Sequence, residues 1–405
     1  MNVLLITQYF PPEIGAAASR WGDYTKILTE KGHKVTVLCE IPNYPQGYFY
    51  QGYKNKWYIK EIKSPSLVII RSAAGANDRK SIIKKIIHYL IFMLSGIINV
   101  MKIKNYDFVI VSSPPLFTGM IGVFLQKFKS VPFWLDLRDI WPDSAMVLKQ
   151  IKKNRIYFFG KKLESIIYNS ATGFILSVPG FKNYIEKKYI NQKHKPILPL
   201  INGVSNNFIK IVESKEIKPD KRFTVLYSGN MGLAQGLETI IEVAKLVDKY
   251  PIDFRFIGNG VCRDKLESKV KQIGLKNVVF HDSVNRSELI KWIKKSSVCL
   301  VPLINSPLFR TALPSKMFEY MACGRPVIVG IKGEAEEFIK ISKAGILVEP
   351  ENSILLSKAI INYYKNHEQC IADGINGMSY ITENLRKEDL ISKLIDEIQL
   401  IKNNE

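Results

Sequence analysis

A lysine, an arginine and a glutamate near residue 315 have the types and spacing needed to bind a phosphorylated ligand. The sequence predicts a helix over about 314–323, with Ser315 and Lys316 in its first turn and Arg310 just before it. A helix N-terminus offers unpaired N–H groups and partial positive charge, which attract a phosphate. Glu319, one turn later, can accept hydrogen bonds from the two hydroxyls of a ribose. The alternative is an i,i+3 surface ion pair between Lys316 and Glu319.

A glycine-rich turn, Gly229–Gly236, is a second candidate phosphate site. It stands between a predicted strand, Phe223–Tyr227, and a predicted helix, Leu237–Tyr250. This order brings backbone N–H groups, such as those of Gly229 and Asn230, close to an anion. The alternative is that the glycines serve the geometry of the turn only.

The N-terminal loop Pro11–Gly15 is followed by three alanines, Ala16–Ala18, and by Arg20. Small residues let a ligand approach the backbone closely, which makes Gly15 and Arg20 candidates for ligand contact. A tight turn between strand and helix is the alternative.

A further segment, Trp134–Asp143, places carboxylates, an arginine and an indole after a predicted strand. Ligands of open parallel sheets bind at that end of the strands. We expect Asp136 to be buried, and Arg138, Asp139 and Trp141 to line a pocket in which the indole suits a sugar ring. An Arg–Asp pair with a structural role is the alternative.

The elements that must position these residues alternate between strand and helix. Apolar runs predict strands, with helical periodicity between them. The predicted strands, besides Phe223–Tyr227, are Val3–Ile6, Val35–Leu38, Leu67–Ile70, Phe108–Val111, Phe133–Leu137, Phe174–Ser177, Phe254–Ile257, Val278–Phe280, Val298–Pro302 and Pro326–Val329. Such a pattern predicts an α/β protein with two doubly wound, Rossmann-like domains that face a cleft.

We expect an N-terminal domain over 1–204, a linker over 205–222 and a C-terminal domain over 223–385. A C-terminal helix, about 386–405, is expected to pack back on the N-terminal domain. The linker is predicted from the polar and basic composition between residues 209 and 222.

The charge of the chain is concentrated in its first half. Lys and Arg number 58 against 37 Asp and Glu, a formal net charge of +21. Residues 1–200 hold 29 basic and 12 acidic residues, a net of +17, which leaves +4 for the rest. The first half is therefore expected to meet an anionic partner or membrane surface. Nucleic acid is not expected, because basic and aromatic residues are not interleaved as in RNA-binding motifs.

The run Ile86–Met101 is mostly apolar and has Arg79, Lys80, Lys84, Lys85, Lys102 and Lys104 on its flanks. Sixteen residues are short for a membrane span. We expect an interfacial helix that attaches the protein peripherally to a membrane, with a buried core helix as the alternative.

Five scattered cysteines have neither metal-ligand nor redox-motif spacing, so no metal site is expected. The N-terminus lacks the features of a signal peptide, which favours a cytoplasmic protein.

The segment Glu319–Val327, Glu-Tyr-Met-Ala-Cys-Gly-Arg-Pro-Val, resembles a signature of the retaining nucleotide-sugar glycosyltransferases of family 4. By this resemblance Glu319 would hold the ribose of the donor. The signature begins with another glutamate eight residues earlier, where this chain has Thr311. The form Leu-Pro-Ser-Lys at 313–316 is similar to a subgroup of O-antigen and capsule enzymes that includes N-acetylfucosamine transferases.

The resemblance implies the GT-B fold and a UDP-sugar donor, without an obligatory metal or other cofactor. Most of the family has an arginine and a lysine in the glycine-rich loop, where this chain has Asn230 and Gln235, so Arg310 and Lys316 are our candidates for the cations. Together with the resemblance, this predicts a donor site of Gly15, Gly229, Asn230, Arg310, Ser315, Lys316 and Glu319, and catalysis by Arg138, Asp139 and Lys316. Arg20 and Trp141 would face the acceptor. That acceptor is expected to be a lipid-diphosphate-linked glycan at the inner face of the cell membrane, during synthesis of O-antigen, lipopolysaccharide or capsule. A UDP-sugar epimerase of the same fold and a non-catalytic sugar-nucleotide-binding protein are the alternatives.

Overall fold

The computed structural model of the protein describes residues 1–44, 47–75, 82–147, 151–189, 195–214 and 216–404. Its strands are β1 (Asn2–Ile6), β2 (Lys34–Glu40), β3 (Tyr58–Ser64), β4 (Leu67–Ser72), β5 (Phe108–Ser113), β6 (Trp134–Leu137), β7 (Gly173–Leu176), β8 (Ile197–Pro199), β9 (Phe223–Ser228), β10 (Ile252–Ile257), β11 (Val278–His281), β12 (Val298–Pro302), β13 (Val327–Gly330) and β14 (Gly345–Leu347).

The helices of the described chain are α1 (Ala16–Glu30), α2 (Ile82–Val100), α3 (Leu116–Lys129), α4 (Asp143–Val147), α5 (Arg155–Ser170), α6 (Phe181–Tyr189), α7 (Asn206–Glu213), α8 (Glu238–Leu246), α9 (Arg263–Ile273), α10 (Arg286–Lys295), α11 (Ser315–Ala322), α12 (Glu334–Ser342), α13 (Ser353–Lys365), α14 (His367–Asn384) and α15 (Lys387–Asn404). Two 3-10 helices, Leu233–Gln235 and Pro307–Thr311, lie in loops that follow strands β9 and β12.

The chain divides into two compact units, one of Met1–Ile201 with Lys387–Glu405 and the other of Asn202–Arg386. The first unit has the strand order β3-β4-β2-β1-β5-β6-β7-β8, and the second has β11-β10-β9-β12-β13-β14. Every pairing is parallel except that of β3 with β4. The predicted α/β class with Rossmann-like parallel sheets is confirmed.

The sheet of the first unit is covered on both faces. Val3 and Leu5 of β1 belong to a core cluster with Trp21 of α1 and Ile391 of α15. The opposite face of the sheet meets α2 and α3, and a Cβ on Gly96 of α2 would lie 2.6 Å from the side chain of Ile121 in α3. Parallel strands buried on both faces need continuous apolar runs, and this explains why most of these strands were predictable.

Strand β3 was not predicted because its sequence, Tyr-Ile-Lys-Glu-Ile-Lys-Ser, is charged and half-exposed. It lies at the edge of the sheet, where only one side of the strand is paired. Glu61 of β3 accepts a hydrogen bond from Arg71 of β4, whose side chain is buried. This cross-strand ion pair compensates for the small apolar content of the strand.

The segment 205–222, predicted as a linker, differs in structure from a simple connection. Ser205 caps α7 by accepting a hydrogen bond from the Phe208 N–H, and the Phe208 and Val212 side chains are buried. Lys294 of α10 donates to the Val212 carbonyl at 2.8 Å. The amphipathic spacing of these two apolar residues therefore anchors α7 within the second unit.

Helix α15 belongs to the first unit although it ends the chain. Its buried residues, Ile391, Leu394, Ile395 and Ile398, join the core cluster of β1 and α1. Lys387 at its start forms an ion pair with Asp23 of α1. These contacts complete one face of the first sheet.

Candidate functional site

Two loops that follow β9 and β10 pack backbone against backbone in the second unit. The Gly229 N–H donates to the Ile257 carbonyl, and the Met231 N–H to the Asn259 carbonyl, each at 2.8 Å. A Cβ on Gly258 would lie 2.2 Å from the Gly229 oxygen, and Gly258 has a φ of +134°. Glycine is required there on both counts. The packing holds the glycine-rich loop at the carboxyl end of the sheet.

Lys316 lies beside this loop. Its Nζ stands 3.9 Å from the centroid of the Tyr227 ring, and a Cβ on Gly229 would lie 3.1 Å from Nζ. Its ammonium group forms no hydrogen bond or ion pair with the described residues. Burial lowers the pKa of Lys316 to about 7, partly opposed by the charge of Glu319. The structure thus places the ammonium group of Lys316 beside Gly229. Within the described chain this ammonium group forms no ion pair with a carboxylate.

Helix α11 is fixed against β9 by a buried tyrosine. The Ser228 N–H donates to the Tyr320 hydroxyl at 2.8 Å, and the two hydroxyls lie 2.9 Å apart. The helix begins at Ser315, which is exposed, and Pro314 precedes it without a side-chain cap. Because Tyr320 is rigidly held, the first turn with Lys316 is directed toward the glycine-rich loop.

Glu319 has a partner that the sequence analysis did not find. The Nη2 of Arg286, the first residue of α10, lies 3.4 Å from Glu319 Oε1. The same guanidinium stands 4.9 Å from the centroid of the Phe208 ring in α7. Both side chains of the ion pair are half-buried, so the carboxylate is accessible and charge-compensated at once. Thirty-odd residues separate the pair, too many for a local sequence pattern to reveal it.

Asn230 and Arg310 are exposed and make few contacts with the rest of the site. Asn230 is exposed, and its carbonyl accepts the Tyr227 hydroxyl hydrogen bond at 2.6 Å. Arg310 is exposed, and its side chain forms no hydrogen bond or ion pair with the described residues. Both remain predictions as donor-binding residues.

Glu334 is a second acidic residue near this region that the sequence analysis missed. It opens α12, and a Cβ on the preceding Gly333 would lie 2.2 Å from the Arg310 carbonyl oxygen, next to Thr311. The other acids of this first turn, Glu336 and Glu337, both pair with Lys340. The carboxylate of Glu334 has no such partner among the described residues, and burial raises its pKa. The available signal was its place directly after a glycine, five residues beyond the end of a predicted strand.

The first unit contains a cavity of about 330 Å³ at the carboxyl ends of its central strands. Its walls are mostly apolar or aromatic. They comprise Tyr9, Gly15, Ala16, Ala17, Ala18, Tyr44, Ile86, Tyr89, Pro114, Pro115, Leu116, Phe117, Arg138, Trp141 and Ile156. The predicted residues Gly15, Arg138 and Trp141 therefore line one cavity, which we call the α2 cavity because Ile86 and Tyr89 come from α2.

Arg138 is the one charged residue among those that line the α2 cavity. Its Nε donates to the Ser112 hydroxyl at 2.9 Å, and its Nη2 donates to the Pro114 carbonyl. Burial lowers the pKa of the Arg138 guanidinium. A buried guanidinium with apolar neighbours favours a bound anion.

Arg20 does not line the cavity. It is buried, and its Nη2 lies 3.0 Å from Asp136 Oδ1. Asp136 also accepts hydrogen bonds from the Trp21 indole and the Ser112 hydroxyl, at 2.8 and 2.7 Å. Asp136 is fully buried, as the sequence predicted. Arg20 thus contacts a core carboxylate rather than the cavity, because the turn of α1 that carries it faces the sheet.

Asp139 is also absent from the residues that line the α2 cavity. Its carboxylate accepts a hydrogen bond from the Ser144 hydroxyl at 2.8 Å, in the first turn of α4. Burial raises the pKa of Asp139, and the Ser144 hydrogen bond opposes this effect. A catalytic role for Asp139 remains a prediction.

The N-terminal loop is held by a buried glutamate. Glu13 accepts hydrogen bonds from the N–H groups of Phe10, Asn43 and Tyr44, at 3.2, 2.9 and 2.9 Å. Burial, reinforced by the charge of Glu40, raises the pKa of Glu13 to about 8. The contacts fix the loop, and with it Gly15, beside the ring of Tyr44.

No group of three or more His, Cys, Asp or Glu residues that could hold a metal ion occurs in the described part of the chain. All five cysteines are free thiols, and Cys262 alone is half-exposed rather than buried.

Both the sequence and the fold of this protein are similar to those of known glycosyltransferases. Residues 209–377 match the family model of the glycosyl transferases group 1. The chain is 22% identical, over 421 aligned positions, to the putative colanic acid biosynthesis glycosyl transferase WcaI of Escherichia coli (strain K12), and the match covers 98% of this chain and 100% of that protein.

Solved structures share the fold over the whole chain. A sucrose-phosphate synthase from Thermosynechococcus elongatus is 18% identical with a TM-score of 0.77, covering 100% of both chains. The Anabaena protein HepE, solved with UDP and glucose, is 13% identical with a TM-score of 0.69, covering 98% of this chain and 99% of that chain.

The fold and the family match define the class: the protein is a glycosyltransferase with the GT-B fold. The family match lies within the second unit, over residues 209–377. The prediction of a glycosyltransferase is confirmed.

Proposed function

We propose that this protein is a retaining, metal-independent glycosyltransferase that uses a UDP-sugar donor. The sugar is an N-acetylated hexosamine or deoxyhexosamine, and the acceptor is a lipid-diphosphate-linked glycan of a bacterial surface polysaccharide such as O-antigen or capsule. The name of the relative WcaI refers to colanic acid biosynthesis, and HepE was solved with UDP and glucose. The first name supports a role in polysaccharide synthesis, and the second supports UDP as the nucleotide of the donor.

The observation that carries the donor proposal is the convergence of Gly229, Lys316 and Glu319. Lys316 presents a cation beside the backbone of the glycine-rich loop, and Glu319 lies one turn further along the same helix. This spacing suits a nucleoside diphosphate, with its phosphates at Lys316 and its ribose at Glu319. A preorganised cation stabilises the leaving diphosphate where negative charge develops during the reaction. We name no protein nucleophile for the transfer.

The proposed location at a membrane surface rests on helix α2. Its buried face carries three polar side chains beside the apolar Phe92 and Val100: His88, Ser95 and Asn99 are each at most 1% exposed. Ser95 donates to the Ala73 carbonyl, and Asn99 to the Ser72 hydroxyl, each at 2.9 Å. His88 Nε2 lies 3.1 Å from the buried carboxylate of Glu40.

The exposed face of α2 is apolar. Ile83, Ile87, Leu94, Ile98 and Met101, the last just beyond the helix, are between 42% and 63% exposed. A helix that buries polar groups and exposes an apolar stripe is suited to an apolar surrounding on its outer side. We call these five residues the α2 stripe.

Helix α2 is longer than the apolar run found in the sequence. Among the described residues, Ile83–Val100 is the stretch long and apolar enough to cross a membrane, and one third of it is buried. We propose peripheral attachment, because His88, Ser95 and Asn99 bond the helix to the sheet. Lys84, Lys102 and Lys104 lie at its ends and suit anionic lipid. Arg79 and Lys80 lie outside the described residues.

The experiment for the transfer reaction is a donor panel. The protein is incubated with several UDP-sugars and with membrane extract, and release of UDP is compared with incorporation of sugar into the lipid fraction. We expect incorporation from one N-acetylated donor. Conversion of the donor sugar without an acceptor would favour an epimerase, and donor binding without turnover would favour a non-catalytic protein.

Membrane attachment is tested by sedimentation with vesicles of phosphatidylglycerol and phosphatidylcholine. We expect Ile98→Glu in the α2 stripe to release the protein. Ile371→Glu is the matched control, because Ile371 is an exposed isoleucine of α14 in the second unit. Equal binding of the two variants would contradict the proposed surface.

A further inference from the structure

The α2 cavity is poorly suited to a sugar ring alone. Leu116, Phe117, Ile156 and Trp141 contribute apolar or aromatic walls, and Ala16 offers a methyl group. A buried hydroxyl without a hydrogen-bond partner is costly, and a sugar has several hydroxyls. The walls therefore favour an apolar ligand segment.

A positive charge faces this apolar space. Beneath the wall, Arg138 and Arg20 share Asp136, at N–O distances of 3.9 and 3.0 Å. Within the described chain, the Nη1 group of Arg138 has no partner, while Nε and Nη2 bond Ser112 and Pro114. A free amino group of a guanidinium is the donor that phosphate oxygens prefer.

The α2 cavity and the α2 stripe share the first turns of helix α2. Ile86 and Tyr89 line the cavity, while the neighbouring Ile83 and Ile87 belong to the exposed stripe. One helix thus contributes to a surface suited to lipid and to an internal apolar wall. An apolar chain that leaves the lipid surface near Ile87 would meet the cavity within one helical turn.

From these observations we propose that the α2 cavity binds the phosphate-proximal part of the apolar chain of the acceptor, with the acceptor phosphate at Arg138. The protein therefore binds part of the apolar chain of the acceptor, and this part leaves the bilayer. This inference rests on the proposed function and specifies its acceptor as a phosphorylated amphiphile.

The test separates the chain from its head group. Binding is followed by the fluorescence of Trp141, in a background in which the other tryptophans, at positions 21, 57, 134 and 292, are replaced by phenylalanine. The probes are geranyl diphosphate, inorganic diphosphate and geraniol, below their aggregation concentrations. We expect geranyl diphosphate to bind at least about tenfold more tightly than either fragment.

If the replacements in that background disturb folding, isothermal titration calorimetry of the natural chain, with the proposed donor site saturated by UDP, gives the same comparison. Equal affinity for geranyl diphosphate and inorganic diphosphate would overturn the proposal.

A cavity-filling variant gives a second measurement. Ala16→Leu adds three carbons at an exposed position of the cavity wall, so the variant is expected to fold. Ser19→Leu is the matched control, because Ser19 is exposed on the same helix and does not line the cavity. We expect Ala16→Leu to weaken geranyl diphosphate binding about tenfold and Ser19→Leu to leave it unchanged. Equal effects of both variants, or none, would contradict the proposal.

A further experiment distinguishes failure of the cavity proposal from failure of the proposed transferase function. Transfer is measured to acceptors with one sugar diphosphate head and either a ten-carbon chain or a methyl group. Transfer to both acceptors with equal KM would remove the cavity proposal but keep the transferase. Absence of transfer to either acceptor and to membrane extract would remove the proposed function itself.

Discussion

Arg286 Nη2 lies 3.4 Å from Glu319 Oε1, so the carboxylate proposed to bind the ribose is already paired with a cation. The guanidinium also packs over Phe208 at 4.9 Å. Arg286 thus links α7 and α10 to the start of the proposed donor site, and we expect it to orient Glu319.

The first prediction concerns this pair. Arg286→Ala should raise the KM for the UDP-sugar about fivefold with little change in kcat, because a half-exposed ion pair contributes modestly to the orientation of Glu319. Arg286→Lys should restore part of the loss. Arg222→Ala, which breaks the exposed Arg222–Asp253 pair of 2.9 Å, is the control and should leave KM unchanged. A fall in kcat alone would contradict a positioning role.

Glu319 itself gives the second prediction. Glu319→Ala should weaken UDP binding by about 1–3 kcal/mol, because two hydroxyl hydrogen bonds to a carboxylate would be lost. Calorimetry with UDP and with 2′-deoxy-UDP measures the effect. The substitution should matter less for the deoxy ligand, and equal losses with both ligands would remove Glu319 from contact with the 2′-hydroxyl.

The third prediction is a pH dependence that originates at Lys316. Since the pKa of Lys316 is lowered to about 7, the cation is present below pH 7 and is lost as pH rises. A bound diphosphate favours the charged form and raises this pKa, so donor affinity should fall between pH 7 and 9, with proton uptake on binding.

Lys316→Arg is the matched variant for that profile, because arginine stays protonated throughout the range. Calorimetry in buffers of different ionisation enthalpy counts the protons. An unchanged pH profile in Lys316→Arg would show that another group titrates.

Glu334 is the subject of the fourth prediction. Its half-buried carboxylate lies close in the chain to Gly333, which contacts Arg310, and we expect it to bind a hydroxyl of the donor sugar. Glu334→Gln should raise the KM for the UDP-sugar and leave inhibition by UDP unchanged. Glu337→Gln, in the same helical turn but paired with Lys340, is the control. Equal weakening of UDP itself would argue against contact with the sugar.

The fifth prediction tests the packing of the glycine-rich loop. Gly258→Ala should lower the free energy of unfolding of the second unit by more than about 3 kcal/mol, because its Cβ would lie 2.2 Å from the Gly229 oxygen at a φ of +134°. Gly274→Ala has a φ of +75° with no atom within 4 Å, so about 1 kcal/mol is expected. Thermal unfolding compares the two, and similar midpoints would contradict the packing argument.

Several elements of the proposed donor site were predictable because their signals are local. Pro314 and Gly324 bound a helix observed at Ser315–Ala322, and the apolar run before the glycine-rich turn is strand β9. The buried position of Asp136 followed from its place at the end of a strand. In each case, backbone geometry and hydrophobic periodicity act over a few residues.

Other features depended on contacts between distant residues. Strand β3 forms because Glu61 meets Arg71 across an antiparallel edge, and the predicted linker becomes α7 because Phe208 and Val212 find buried surroundings. Arg20 was predicted to face a ligand, yet its partner Asp136 lies in a strand far along the chain. Burial and partner choice of this kind are decided by packing, not by local propensity.

The sequence by itself determined the alternation of strands and helices over most of the chain, the class of enzyme and the identity of Lys316 and Glu319 as candidates. Periodicity, turn residues and a family motif are all written locally in the chain. Only the tertiary structure decided that Lys316 stands over Tyr227 beside Gly229, that Arg286 pairs with Glu319, and that α2 buries His88, Ser95 and Asn99. These relationships join residues from separate elements, and their distances exist only once the sheets have packed.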